Sequence, residues 1–164
     1  MIARYQTLAR RIQLEIEELE RTQAVIQRHW QTARRTATDP DAYLNSVALN
    51  LHTFYSGLER IFELIALELD GGLLGGDAWH TELLRQIALD VPDVRPCVIR
   101  PDTAAQLDEY RKFRHRIRNI YATNLDPDRM APLVVGLATL WPQIREELTA
   151  FIGFLRQLAD VRGE

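Results

Sequence analysis

Positive charge is concentrated in one short segment of an acidic chain. Five of the eight residues from Arg111 to Arg118 are lysine or arginine, and His115 lies among them, although the net charge is −3. Guanidinium groups bind phosphate oxygens through paired hydrogen bonds, and an imidazole exchanges protons near neutral pH. The segment could therefore bind a phosphodiester backbone, or it could be a solvated helix face whose cations suit a helix C-terminus.

These side chains must be positioned by a helix, which the surrounding apolar residues predict for residues 107–124. The cations recur at three- and four-residue steps and form a stripe along one side of such a helix. They are Arg111, Arg114, His115 and Arg118. The apolar side consists of Leu107, Tyr110, Phe113, Ile117, Ile120 and Tyr121. The sequence thus predicts a basic stripe beside an apolar seam.

Helical spacing of apolar residues extends over most of the chain. It predicts helices over residues 2–37, 40–69, 77–90, 101–124 and about 127–160. Asp39 and Asp126 are predicted N-caps, because each precedes a proline that suits the first helical position. Pro142 is predicted to kink the last helix or to divide it in two, because proline lacks the backbone donor that a helix needs.

The expected fold is all-α: an up-and-down bundle of about five helices, forming a single domain over residues 1–164. No alternating strand pattern is longer than the three residues "CVI". Cys97 is the only cysteine, which excludes an internal disulfide. The charged N-terminal stretch is atypical of a signal peptide, and the low-charge run "MAPLVVGLATLWPQI" is too short to span a membrane. We expect a cytoplasmic protein that does not enter a membrane.

The four histidines do not predict a metal site. His29, His52, His80 and His115 are far apart, and no two of them have the spacing and carboxylate partner of a zinc or di-iron site. His80 is expected to be a hydrogen-bonded packing residue. No phosphate-binding loop or dinucleotide-binding pattern is present, so no metal and no cofactor is expected.

The basic segment resembles the HEPN superfamily, all-α proteins many of which cut RNA, and more specifically the HepT-like toxins of HEPN–MNT toxin–antitoxin pairs. Further segments carry the same resemblance in the same order: "VALNLHTFYSGLERIFELIA", "AWHTELLRQIALDVPDVRPCVI" and "PLVVGLATLWPQIREELTAFIGFLRQL". The resemblance extends over residues 40–158. It implies a HEPN-like bundle and a metal-independent endoribonuclease that acts on RNA as a homodimer, with its site at the dimer cleft. It also implies an MNT nucleotidyltransferase as antitoxin.

The family motif is Arg, a polar residue, three variable residues and His, commonly followed two residues later by Tyr. Arg114 stands in the Arg place and His115 in the polar place, which marks both, with Asn119, as the catalytic candidates. Asn119 stands where His is expected, and an amide cannot transfer a proton at neutral pH. The remaining arginines of the segment are expected to bind RNA phosphates: Arg111, Arg116 and Arg118.

Three interpretations of Asn119 stay open. The nuclease activity has been lost and an RNA-binding or partner-binding module is left, or His115 has taken over proton transfer. In the third, the motif begins at Arg118, which places Thr123 or Asn124 at the His position and restores no imidazole.

Two further residues have roles implied by the resemblance. Tyr121 stands where the MNT partner transfers AMP to the toxin, whereas its residue type and spacing alone indicate a core or interface residue. Glu59 lies on the second helix, which packs near the motif helix in the family. It is therefore expected to pair with Arg114 or Arg118 as structural support.

Overall fold

The computed structural model describes residues 2–73, 75–118 and 124–161. Its helices are α1 (Ile2–Arg35), α2 (Pro40–Leu69), α3 (Trp79–Ile87), α4 (Pro101–Ile117) and α5 (Pro127–Val161). The β pairing found in these ranges is an isolated bridge between Val91 and Arg95. The predicted all-α fold of five helices is confirmed.

The ends of the two helices nearest the basic segment differ from the prediction. The third helix begins at Trp79 and ends at Ile87, so it is shorter than the predicted 77–90. The fourth ends at Ile117, and Arg118 forms a turn, whereas the sequence predicted a helix to residue 124. Residues 119–123 lie outside the described part of the chain. The last turn of α4 holds Arg114, His115 and Arg116, whose charges favour the negative end of the helix dipole.

One of the two predicted aspartate caps is wrong. Asp39 has a left-handed backbone with φ of 49° and makes no side-chain cap hydrogen bond; a capping side chain normally extends from a residue of β conformation. Pro40 does occupy the first turn of α2, as predicted. Asp126 is confirmed as a cap, because its Oδ1 accepts the backbone N–H of Asp128 at 2.9 Å.

The start of α4 is capped from another helix. Glu147 on α5 accepts the backbone N–H of Arg100 at 3.2 Å and the hydroxyl of Thr103 at 2.8 Å. An ionised carboxylate at this end satisfies unpaired donors and favours the positive end of the helix dipole. The contact fixes where α4 begins relative to α5.

Helix α5 is continuous from Pro127 to Val161, with Pro132 and Pro142 inside it. The alternative that Pro142 divides the last helix in two is therefore wrong, and a kink at this residue stays a prediction. Tyr110 of α4 donates its hydroxyl to the carbonyl of Leu133 at 2.6 Å. This buried hydrogen bond fixes the motif helix against α5.

The packing places α2 at the centre. Helix α1 packs along α2 and α5, whereas α4 contacts α2, α3 and α5. All five helices contribute to one apolar core. Arg95, after α3, forms two 2.7 Å bonds to Asp70 at the end of α2, which ties the α3–α4 connection to the bundle. No described helix is long and apolar enough to cross a bilayer.

Candidate functional site

A buried carboxylate joins three helices beside the basic segment. Glu59 of α2 accepts a hydrogen bond from Arg114 Nη1 of α4 at 2.8 Å through Oε1, and its Oε2 lies 2.7 Å from His80 Nδ1 of α3. The Glu59 side chain is only 5% exposed. Burying a carboxylate is costly unless it is paired and hydrogen-bonded. Each oxygen of Glu59 has such a partner, and the carboxylate therefore fixes Arg114 relative to His80.

The face of α2 that packs against the basic segment carries polar groups at helical spacing. His52, Tyr55 and Glu59 are separated by three and four residues and so share one side of α2. The hydroxyl of Tyr55 is buried with no hydrogen-bond partner among the described residues, and the same is true of Arg114 Nε. Burial, and to a lesser extent the charge of Glu59, raises the pKa of Tyr55, so its phenol is neutral.

A second carboxylate lies one turn further along α2. Burial raises the pKa of Glu63, and the nearby charge of Glu59 raises it further, while His80 and Arg114 act in the opposite direction. The carboxylates of Glu59 and Glu63 therefore already repel each other. This favours keeping the Arg114 cation in place against Glu59.

Two cations of the basic segment are neutralised within α4, and one of them, Arg111, was predicted to bind phosphate. Arg111 Nε lies 2.6 Å from Asp108 Oδ1, and Lys112 Nζ lies 3.2 Å from both Asp108 and Glu109. Burial would raise the pKa of Asp108, but the hydrogen bonds from Arg111 and Lys112 outweigh it and the pKa lies below its usual value. The basic stripe thus carries less net charge than its sequence indicates.

Arg116 and Arg118 lie on different sides of α4. Arg116 lines a groove against α5 together with Arg129, whereas Arg118 lines a pocket against α2. Both are exposed, and neither forms an ion pair with a carboxylate in the described ranges. Arg114 and Arg118 therefore face α2 together, and Arg116 does not belong to that set.

The pocket beside Arg118 contains an imidazole that sequence reasoning did not assign to the site. Its volume is about 350 Å³, and its lining residues are Asn45, Ala48, Leu49, His52, Ile117, Arg118 and Leu125. Burial lowers the pKa of His52, and the charges of Arg114 and Arg118 lower it further. His52 is therefore neutral near pH 7, since its pKa lies below the usual value of about 6.5.

The remaining sequence candidates divide into described and undescribed residues. Glu59 pairs with Arg114, one of the two partners that the resemblance suggested. His115 is exposed on α4. Asn119 and Tyr121 lie outside the described residues. Sequence reasoning missed His52 as a site residue, although its spacing from Glu59 along α2 was a usable signal. His80 carried no such signal, because it reaches Glu59 from another helix.

The described residues contain no group of three or more His, Cys, Asp or Glu side chains arranged to hold a metal ion. The described site offers arginine, imidazole and carboxylate groups. Arginines stabilise charge on a phosphorus centre, and a neutral imidazole accepts a proton.

A family model of HepT-like proteins matches residues 46–155. The chain belongs to the HepT-like family. The matched region includes α3, α4 and most of α2 and α5. It therefore contains the described charged side chains around Arg114. Helix α1 lies outside it. Searches of curated proteins and of solved structures found no match.

Proposed function

We propose that this HepT-like protein is the toxin of a toxin–antitoxin pair, a metal-independent endoribonuclease that acts as a homodimer in the cytoplasm. The observation that carries the proposal is the family match over residues 46–155, which includes Arg114 and its neighbours. The Glu59–Arg114 pair supports it, because a held guanidinium is pre-organised to stabilise the charge that develops on phosphorus. Arg118 adds an exposed cation on the same side of α4.

Asn119 favours a second candidate function. An amide at the motif His position cannot shuttle a proton, so the protein would be an impaired HEPN module that binds its MNT partner, RNA or a nucleotide without cleavage. In that case the arginines serve binding alone. The two candidates differ in whether purified protein cuts RNA.

Growth and RNA cleavage test the first candidate. Expression of the wild-type chain should arrest growth, and purified protein should degrade RNA in the presence of a metal chelator. Arg114→Lys should lose both effects, because it keeps a cation for Glu59 but lacks the planar fork that binds phosphate. Arg156→Ala is the control, since Arg156 is exposed on α5 and lines a groove against α1. Wild-type protein that leaves both growth and RNA intact would contradict the ribonuclease proposal.

Asn119→His separates the two candidates further. If only the proton-transfer group is missing, this variant should cleave RNA that the wild-type protein binds without cutting. A wild-type protein that already cleaves, with no gain on this substitution, supports the toxin instead.

The proposed partner is an MNT nucleotidyltransferase encoded by a neighbouring gene, which silences the toxin by transferring AMP to Tyr121. The added phosphates would place negative charge close in sequence to the arginines and oppose RNA binding. Intact-mass measurement of protein co-expressed with that gene should show gains in AMP units. Tyr121→Phe should abolish them, and an unchanged mass in both proteins would contradict this mode of silencing.

A further inference from the structure

An imidazole that has no hydrogen-bond partner among the described residues lies next to the arginines of the motif segment. His52 lines the pocket of about 350 Å³ that also contains Arg118. The ring is half-buried, and it forms no hydrogen bond to a described residue, unlike His29 and His80, whose Nδ1 atoms contact Ser46 and Glu59. No described residue therefore occupies the ring nitrogens of His52 on the side of the pocket.

The surroundings of His52 hold it in the form that accepts a proton. Burial disfavours the charged form of the ring, and two nearby cations, Arg114 of α4 and Arg118 at its C-terminal end, disfavour a second positive charge. The remaining residues that line the pocket are uncharged: Asn45, Ala48, Leu49, Ile117 and Leu125. No described carboxylate lines the pocket to favour the imidazolium form.

We infer that His52 is the general base of the RNA cleavage reaction, accepting the proton of a ribose 2′-hydroxyl whose adjacent phosphate is bound by Arg114 and Arg118. This inference rests on the proposed ribonuclease function and names the residue that performs its proton transfer. It assigns to α2 the imidazole that the motif lacks at Asn119. The substrate class is single-stranded RNA, because the reaction needs a 2′-hydroxyl free to align with its own phosphate.

The reaction balances without a cofactor. The 2′-hydroxyl loses its proton to a ring nitrogen of His52, the 2′-oxygen forms a bond to phosphorus, and the bond from phosphorus to the 5′-oxygen breaks. The 5′-oxygen takes a proton from water, and the hydroxide formed receives the proton from His52. The products are a 2′,3′-cyclic phosphate and a 5′-hydroxyl end. Arg114 and Arg118 stabilise the added negative charge on the phosphate oxygens.

His52→Gln tests the assignment, because glutamine retains hydrogen-bonding groups but cannot exchange a proton at these pH values. Single-turnover cleavage of a single-stranded RNA should fall by about 10²- to 10⁴-fold, the range for loss of a general base. Affinity for a non-cleavable 2′-O-methyl RNA should be unchanged. His29→Asn is the matched control and should cleave at the wild-type rate, because His29 is hydrogen-bonded to Ser46 and does not line the pocket.

The pH profile distinguishes proton transfer from a structural role. The wild-type rate should rise as His52 loses its proton and reach a plateau, with a midpoint below about 6.5 because the pKa of His52 is lowered. His52→Gln should lack this rise. The double variant His52→Gln with Asn119→His should regain cleavage, because an imidazole returns to the motif position.

The outcomes separate the two proposals. If the wild-type protein cleaves RNA, Arg114→Lys does not, and His52→Gln cleaves with an unchanged pH profile, only the role of His52 is overturned. Weaker binding of the 2′-O-methyl RNA with a normal pH profile makes His52 a binding residue and also overturns it. Absence of cleavage by the wild-type protein overturns both proposals.

Discussion

Glu59 holds the arginine of the motif from inside the bundle. Its carboxylate is almost completely buried and has one neighbour on each oxygen, Arg114 and His80. A buried charge of this kind contributes little net stability but is costly to disrupt, because removing one partner leaves the others unpaired. The same carboxylate therefore affects both the fold and the placement of Arg114.

Glu59→Gln should lower the free energy of unfolding by about 2–4 kcal/mol, because Arg114 loses its buried counter-ion. Urea denaturation of purified protein measures the change. Glu82→Gln is an equivalent substitution at an exposed ion pair, in which Arg85, three residues later on α3, lies 3.1 Å from the carboxylate. It should cost less than about 1 kcal/mol. Equal losses in the free energy of unfolding would show that the buried Glu59 pairing contributes no more to stability than an exposed ion pair.

The residues of the site differ in how far they could be predicted. Arg114 follows from the motif, and its partner Glu59 follows from a resemblance that brings α2 near α4. The contact with His80 spans 21 residues and depends on how the short α3 packs on α2, which no local spacing encodes. His52 belongs to the same α2 face as Glu59, but its closeness to Arg118 appears only after α2 and α4 are packed together.

At the scale of elements, helix existence was predictable and helix ends were not. Periodic apolar residues placed all five helices, because each helix must bury one side. The ends depend on caps, and those caps are partly tertiary. Glu147 of α5 caps α4 from 47 residues away from Arg100, and Asp39 adopts a left-handed backbone instead of capping α2. Neither arrangement is evident from neighbouring residues.

A glycine lies where α1 packs closely against α2. A Cβ atom at Gly57 would lie 2.9 Å from Leu19 Cδ2, closer than carbon atoms normally approach, and Leu19 is itself buried. Gly153 is also inside a helix, but a Cβ atom there meets nothing within 4 Å. Alanine substitutions at these two glycines therefore distinguish the effect of packing on stability from the effect of helix propensity.

Gly57→Ala should destabilise the protein by about 1–2 kcal/mol, because overpacking outweighs the gain in helix propensity. Gly153→Ala should instead stabilise it by about 0.5–1 kcal/mol. Thermal and urea unfolding of both variants check the opposite signs. If Gly57→Ala also stabilises the protein, α1 and α2 can separate at little cost and the close approach is not essential.

At the scale of the whole molecule, α1 forms part of the core although the family match begins at residue 46. It packs along α2 and α5, and side chains spaced along its length are buried: Tyr5, Leu8, Ile12, Ile16, Leu19, Ile26 and Trp30. Two of its polar contacts also reach the matched region, from Gln27 to the carbonyl of Val134 and from Arg4 to Glu68. Helix α1 thus supports α2, and α2 carries the residues that contact Arg114.

Ile12→Ala in α1 should therefore cost as much stability as Ile65→Ala in α2, about 2–5 kcal/mol in each case. Both side chains are completely buried and lose the same atoms, so the comparison is independent of side-chain chemistry. Urea denaturation measures both costs. A much smaller cost for Ile12→Ala would mean that α1 is an appendage to the matched helices. Equal costs would mean that α1 belongs to the same cooperatively folded core as α2.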